Sequence, residues 1–275
     1  MSDPSTSHFE VIANLMTAPS GETVWSKQGP GDGSLQLKGT QEVFALSHVF
    51  QGATTDEIYT TSINRIVQYG PTGVNVSILC FGYTDFVSLA QRALNAIVAA
   101  PDGCDRFVSA TAIHIGEGGE LRSIFDRKAT PTVNLWYAES GLCVGNTPYR
   151  TLTTSQDVSD FFAVPMIGTD ATLIVAEVFH AIEPRKQTRA TVLILYVPEG
   201  STALNMSVWA TIESEVDKGP TPSTLFFTIV GNVFSMLKCF DTKVVEVGGL
   251  KCFGWDHGGR VAAAAGSGNP WVLTA

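Results

Sequence analysis

The chain has 275 residues, 44% of them apolar and 16% charged, which supplies a substantial core and excludes a disordered chain. Its 17 basic and 26 acidic residues leave a net charge of −9, which speaks against a general nucleic-acid binder or a polybasic membrane anchor, since both neutralise phosphates. Five widely spaced cysteines with no secretory signal before them are expected to be reduced thiols of a cytoplasmic protein.

The opening MSDPSTS is small and polar and reads as a loose terminus. HFEVIANLMTA follows as a strand, and the glycine- and proline-dense PSGETVWSKQGPGDGSLQLKG as turns and short edge strands. EVFALSHVF is a further strand-like run. Thr54 with Glu57 three residues on forms a capping box, and Ile58, Ile63, Ile66 and Val67 at helical spacing predict a helix that stops near Gly70 and Pro71. The nearly continuous apolar run VNVSILCF predicts a central strand covered on both faces. After Gly82, VSLAQRALNAIVAA predicts a helix with Leu89, Ala93, Ala96 and Ile97 on one side.

RFVSATAIHI and TVNLWY read as strands, and LTTSQDVSDFF as a helix capped by Thr153 or Thr154. ATVLILYV and LNMSVWAT are two more strands, separated by a Pro-Glu-Gly turn. The run from Thr224 to Leu237 is shorter than the roughly 20 residues that cross a bilayer and carries Asn232 near its centre, so a buried helix from Phe226 to Leu237 is expected. A tail rich in glycine and alanine closes the chain. Strands and helices alternate without a linker or a repeat, which implies one α/β domain over residues 8–275 with a large, mostly buried sheet.

A strand, a glycine turn and a helix start are the parts of a phosphate-binding loop. In such a loop successive glycines let backbone N–H groups close around the phosphates, a lysine supplies a point charge and a hydroxyl meets the magnesium ion. Here Gly82 is present and its followers are not.

The stretch EVFALSHVFQGATTDEIYTTSINRIVQYGPTGVNVSILCFGYT resembles the part of the kinesin motor domain that leads into its phosphate loop, GQTGSGKT. In that register Gly82 and Thr84 match, Asp85 and Val87 replace the second and third glycines, and Ser88 and Leu89 replace the lysine and its hydroxyl neighbour. RFVSATAIHIGEGGELRSIFD is similar to a later strand and turn of the family. Gln187 to Thr191 fall on the first switch, S-S-R-S-H, where only Arg189 matches. SVWATIESE resembles the strand entering the second switch, D-L-A-G-S-E, with Ala210 for its aspartate and Glu213 for its glycine, while Ser214 and Glu215 match. TIVGNVFSML and LKCFGWDHGG are similar to the family's last helix and closing segment. The fragments keep the family's order from Phe44 to Gly259.

The resemblance implies a single kinesin-like α/β domain: a central, mostly buried mixed sheet flanked by helices on both faces. The departures from the pattern imply that its chemistry is lost. Asp85 would set a carboxylate against a phosphate, a repulsion of several kcal/mol at an effective dielectric of about 20, with no lysine to offset it. Ala210 removes the carboxylate that positions the metal's water shell, and Glu213 replaces the glycine that senses the terminal phosphate. With all of these elements altered together, no ATP hydrolysis, no motility, no catalytic residue, no metal and no cofactor are expected.

Other candidates read as structural. His114 and His180 lie in apolar runs and suit a core better than a metal. Cys252 and His257 have no second pair at zinc spacing, and the acidic pairs Glu117/Glu120 and Glu213/Glu215 sit in turn-like contexts. The glycosylation patterns at Asn75 and Asn205 are taken as chance matches. The basic cluster from Glu183 to Arg189 reads first as a solvated loop and second as a patch for an acidic partner such as a tubulin surface. In the microtubule-binding region implied by the resemblance, Ser223 to Gly259, Lys238, Lys243 and Lys251 are interleaved with Asp241, Glu246 and Asp256.

The expectation is therefore a pseudo-motor. It would be a structural or scaffold protein of a microtubule-based assembly of the cytoskeleton, such as a flagellar axoneme, with tubulin or microtubule-associated proteins as partners and neither nucleic acid nor membrane. The alternatives are an α/β enzyme or small-molecule binder using another pocket, and a kinesin-like domain that keeps residual nucleotide binding.

Overall fold

The computed structural model describes residues 9–16, 25–27, 34–37, 43–45, 48–82, 85–99, 106–116, 118–126, 132–138, 141–166, 168–183, 186–198, 223–230, 243–247, 250–257, 260–263 and 271–274. The expected N-terminal tail, the strand LNMSVWAT and the whole second-switch stretch fall outside these residues.

The first third of the chain runs through β1 (Phe9–Met16), β2 (Trp25–Lys27), β3 (Ser34–Leu37), β4 (Val43–Ala45) and β5 (His48–Gln51). Helix α1 (Thr55–Ile58) passes through a π-helical segment, Tyr59–Ile63, into α2 (Asn64–Val67), and a 3-10 turn at Gly70–Thr72 ends it where the glycine and proline predict. Next come β6 (Val76–Phe81), α3 (Phe86–Val98), β7 (Arg106–Ile115), β8 (Leu121–Ser123), β9 (Asn134–Ala138), β10 (Gly141–Gly145), β11 (Arg150–Leu152) and α4 (Ser155–Phe161). The long hairpin of β12 (Ala171–Glu183) and β13 (Lys186–Val197) follows, then β14 (Ser223–Val230), β15 (Lys243–Val247), β16 (Leu250–His257), β17 (Arg260–Ala263) and β18 (Trp271–Thr274).

Among the described residues nine strands form one mixed sheet in the order β11-β7-β12-β13-β6-β14-β1-β5, with β8 paired to β7. From β13 to β5 every neighbour is parallel; β12, β7, β11 and β8 pair antiparallel. Strand β6 lies between β13 and β14, with Ile78 opposite both Ile194 and Thr224. Its residues Val76 to Cys80 are fully buried, as a continuous apolar run with both faces covered requires.

The two faces are covered differently. Ile12, Ile78, Cys80, Ile174 and Ile194 point to one side and form one cluster with Ile58, Ile66, Phe86, Leu89, Leu94, Ile97, Val158 and Phe161 from the helices. Burying each such side chain contributes about 1.5–3 kcal/mol. The alternate residues Leu79, Leu173, Val175, Leu193 and Leu195 are equally buried but lie outside that cluster. On their side β10 packs against β12 and β13 with Leu142 and Val144 buried. Among the described residues the expected pair of helical layers is therefore one helical layer, and a β-hairpin meets the second face.

Three sequence expectations change in the structure. The run expected to be helical from Phe226 is strand through Val230, because it supplies the parallel neighbour of both β6 and β1 and has the Thr, Phe, Ile and Val content of a pleated surface. Residues 231–237 of that expected helix lie outside the described residues. The C-terminal tail contains β15 to β18, which join β4, β3 and β2 in a second sheet, of seven strands among the described residues, through the parallel pairing of Lys251 and Cys252 with Phe44 and Ala45. The described part of the basic cluster is strand and not loop: Glu183 closes β12 and pairs with Lys186, and Lys186 to Arg189 open β13, while residues 184 and 185 lie outside the described residues.

Candidate functional site

At the end of β6 the Gly82 N–H donates to the Val197 carbonyl at 2.8 Å, and its φ of +66° is a backbone shape that suits glycine and turns the chain away from the sheet. Thr84 lies outside the described residues. Asp85 occupies the N-cap position of α3 without a side-chain capping bond; its carboxylate accepts instead from the Thr55 hydroxyl at 3.3 Å. Phe86 is fully buried and stacks on Tyr196 with ring centroids 5.0 Å apart. Val87 is half-buried, Ser88 is exposed and Leu89 is fully buried in the helix-side cluster.

The positions that the resemblance assigns to the lysine and its hydroxyl neighbour therefore hold a short surface hydroxyl and a core hydrocarbon. The helix is anchored by Phe86 and Leu89, and the first turn faces the N-terminus of α1 across a cleft of about 510 Å³. Thr54, Thr55 and Asp56 line one wall, and Asp85, Ser88, Gln91, Arg92 and Asn95 the other. The residues from α3 recur at intervals of three and four, which places them on one side of the helix.

The α1 wall is rigid for a local reason. Thr54 accepts from the Glu57 N–H, and the Glu57 carboxylate accepts from the Thr54 N–H at 2.8 Å, so the capping box read from the sequence is present. The bonds donated by the Thr54 N–H and hydroxyl hold the Glu57 carboxyl below its ordinary range. Asp56 pairs with Arg92, whose guanidinium also lies over the Tyr59 ring, 5.1 Å from its centre. Burial raises the Tyr59 hydroxyl above its usual pKa, and among the described residues that hydroxyl has no hydrogen-bond partner. The Asn95 side-chain oxygen is likewise buried, with no partner among the described residues.

The remaining candidates are dispersed. Arg189 lies in β13 opposite Phe179, away from the α3 cleft in sequence and in the sheet; Ala210 and Glu213 lie outside the described residues. His114 is half-buried with Nδ1 3.2 Å from the Thr172 hydroxyl, whose proton goes to the Met166 carbonyl at 2.6 Å. His180 is in β12, and Cys252 and His257 are both in β16. Glu120 pairs with Arg122 at the surface, while Glu117 lies outside the described residues. Burial pushes the Cys80 thiol up, away from reactivity. The Asn75 side chain accepts from the Thr191 N–H at 2.8 Å and Ser77 is fully buried, so that glycosylation pattern belongs to the sheet. Among the described residues no group of three metal-binding side chains comes together, and no helix is long and apolar enough to cross a membrane.

Sequence reasoning found Asp85 and Ser88 through the phosphate loop but missed Asp56, Arg92 and Asn95. The signal for the last two was the polar stripe opposite Leu89, Ala93 and Ile97; the pairing with α1 was not local. No family model matches this chain, and no curated protein matches it.

Proposed function

We propose that the chain is a non-catalytic, kinesin-like structural protein of a microtubule-based assembly of the cytoskeleton, such as a flagellar axoneme. The observation that carries this reading is the start of α3. After the Gly82 turn the helix presents the exposed carboxylate of Asp85, and Leu89 is sunk in the core. A triphosphate brought there meets an anion where it needs N–H groups and a cation. The retained strand, glycine turn and helix agree with a fold kept after its nucleotide chemistry was lost. The partner class rests on the ordered resemblance from Phe44 to Gly259 alone.

Titration calorimetry with ATP and with ADP, each with and without magnesium, is expected to show no binding. Co-sedimentation with microtubules, alone and decorated with axonemal proteins, is expected to retain the chain. Saturable nucleotide binding overturns the non-catalytic reading; absence from both pellets overturns the partner class.

A further inference from the structure

We infer that the outer edge of β9 is a self-association surface, through which two copies of the chain pair antiparallel about a two-fold axis beside Trp136. Among the described residues β9 and β10 form a two-stranded sheet of their own, with Leu135 opposite Val144 and Trp136 opposite Cys143. A ribbon of two strands is marginal in water and gains from further strands.

Its two edges are treated differently. On the β10 side the Tyr149 hydroxyl accepts from the Val144 N–H at 3.3 Å and donates to the Val144 carbonyl at 3.1 Å, so a side chain closes that edge. Both backbone groups of Val144 thus point away from β9, and Leu135 and Val144 are a non-hydrogen-bonded pair of the ladder. Alternation then gives the bonds with β10 to Asn134, Trp136 and Ala138 and turns the N–H and C=O groups of Leu135 and Tyr137 outward. Among the described residues no strand meets them. The Trp136 ring does not shield them, because it lies across the ribbon on Gly145, where a Cβ would come within 2.6 Å of the indole. That ring is 48% exposed.

A second copy fits this edge for two reasons. Leu135 and Tyr137 flank Trp136 symmetrically, so a two-fold axis there sets Leu135 of one copy opposite Tyr137 of the other, and each outward N–H meets an outward carbonyl. The strand Asn-Leu-Trp-Tyr-Ala also carries no charge, so it meets itself without like charges face to face. The edge strands β8 and β11 carry Arg122 and Arg150, which guard against such pairing. One five-residue strand is a small interface, so the dimer belongs to the weak, transient class.

Sedimentation equilibrium of the whole chain, from micromolar to millimolar concentration, is expected to pass from monomer to dimer mass. Over the same range amide exchange at Leu135 and Tyr137 is expected to slow, and that at Trp136, already bonded to β10, to change less. Trp136→Lys and Trp136→Glu place like charges across the axis, where the facing side chains come closest; each is expected to weaken association about tenfold or more, and an equimolar mixture of the two to restore it. Recovery in the mixture would require both variants to be folded. A chain that stays monomeric with fast exchange at Leu135 and Tyr137 would overturn the assignment by leaving the edge to another partner or to none. Slow exchange there in the monomer would overturn it by showing that the chain's own residues cover the edge. A dimer indifferent to both variants, or a mixture that stays monomeric, would do the same.

Discussion

Helices α3 and α4 both begin beside an aspartate, and the two carboxylates are used in opposite ways. At α4, Asp157 turns back on its own helix: it accepts from the Thr153 and Thr154 N–H groups at 2.9 and 2.8 Å and from the Thr153 hydroxyl, while Thr154 accepts from the Asp157 N–H. Those bonds lower its pKa to about 2. At α3, Asp85 makes no capping bond and its carboxylate stays at the cleft. A helix can be started by its first-turn hydrogen bonds or held from beneath by its apolar face, and only the second leaves the N-terminal carboxylate available to something else.

That contrast can be broken most severely from beneath. Phe86→Ala removes the fully buried ring stacked on Tyr196 and is expected to cost about 3–5 kcal/mol, read as a lowered midpoint in denaturant unfolding. A loss under about 1 kcal/mol would mean that α3 is held by something other than its buried face. Gly82→Ala puts a side chain at a φ of +66° and is expected to cost roughly 1–2 kcal/mol in the same measurement.

The caps themselves sharpen the comparison. Thr154→Ala is expected to cost about 1 kcal/mol and Asp85→Ala less than about 0.5 kcal/mol, because only the first removes a capping bond. Equal losses would erase the distinction drawn between the two helices. The smallest effect is a pH dependence local to α4. The Asp157 carboxyl is lowered in the folded chain, so its contribution is complete above the ordinary value of 3.8 and is lost as pH falls through about 2. Hydrogen exchange at the Thr153 and Thr154 amides should therefore accelerate, after correction for intrinsic rates, between those limits. Asp157→Asn should remove the dependence, and an unchanged profile in that variant would assign it to another group.

Much of this region was legible from local chemistry. The capping box at Thr54, the alternative caps at Thr153 and Thr154, the strand ending at Phe81 and the helix opening after Gly82 each depend on residues within a few positions of one another. The stretch from Ser223 to Val230 was not legible in the same way. An unbroken apolar run has no period to separate a buried helix from a buried strand, and the decision belongs to β6 and β1, far away in the chain, whose backbone groups it satisfies. The pairing of Glu183 with Lys186 was missed because a charged run resembles any solvated segment, although β12 and β13 pair almost throughout.

The candidate site divides along the same line. Amino-acid order alone determined that no lysine follows Gly82, that Asp85 stands at the mouth of a helix, and that Leu89 belongs to its apolar stripe, since composition and periodicity need no partner. Tertiary packing alone decided that Asp56 would take Arg92, that Asp85 would meet the Thr55 hydroxyl, and that the Asn95 oxygen would be buried with no donor among the described residues. Charge matching is a property of groups brought together in space, and these come from two helices separated in the chain by the strand β6.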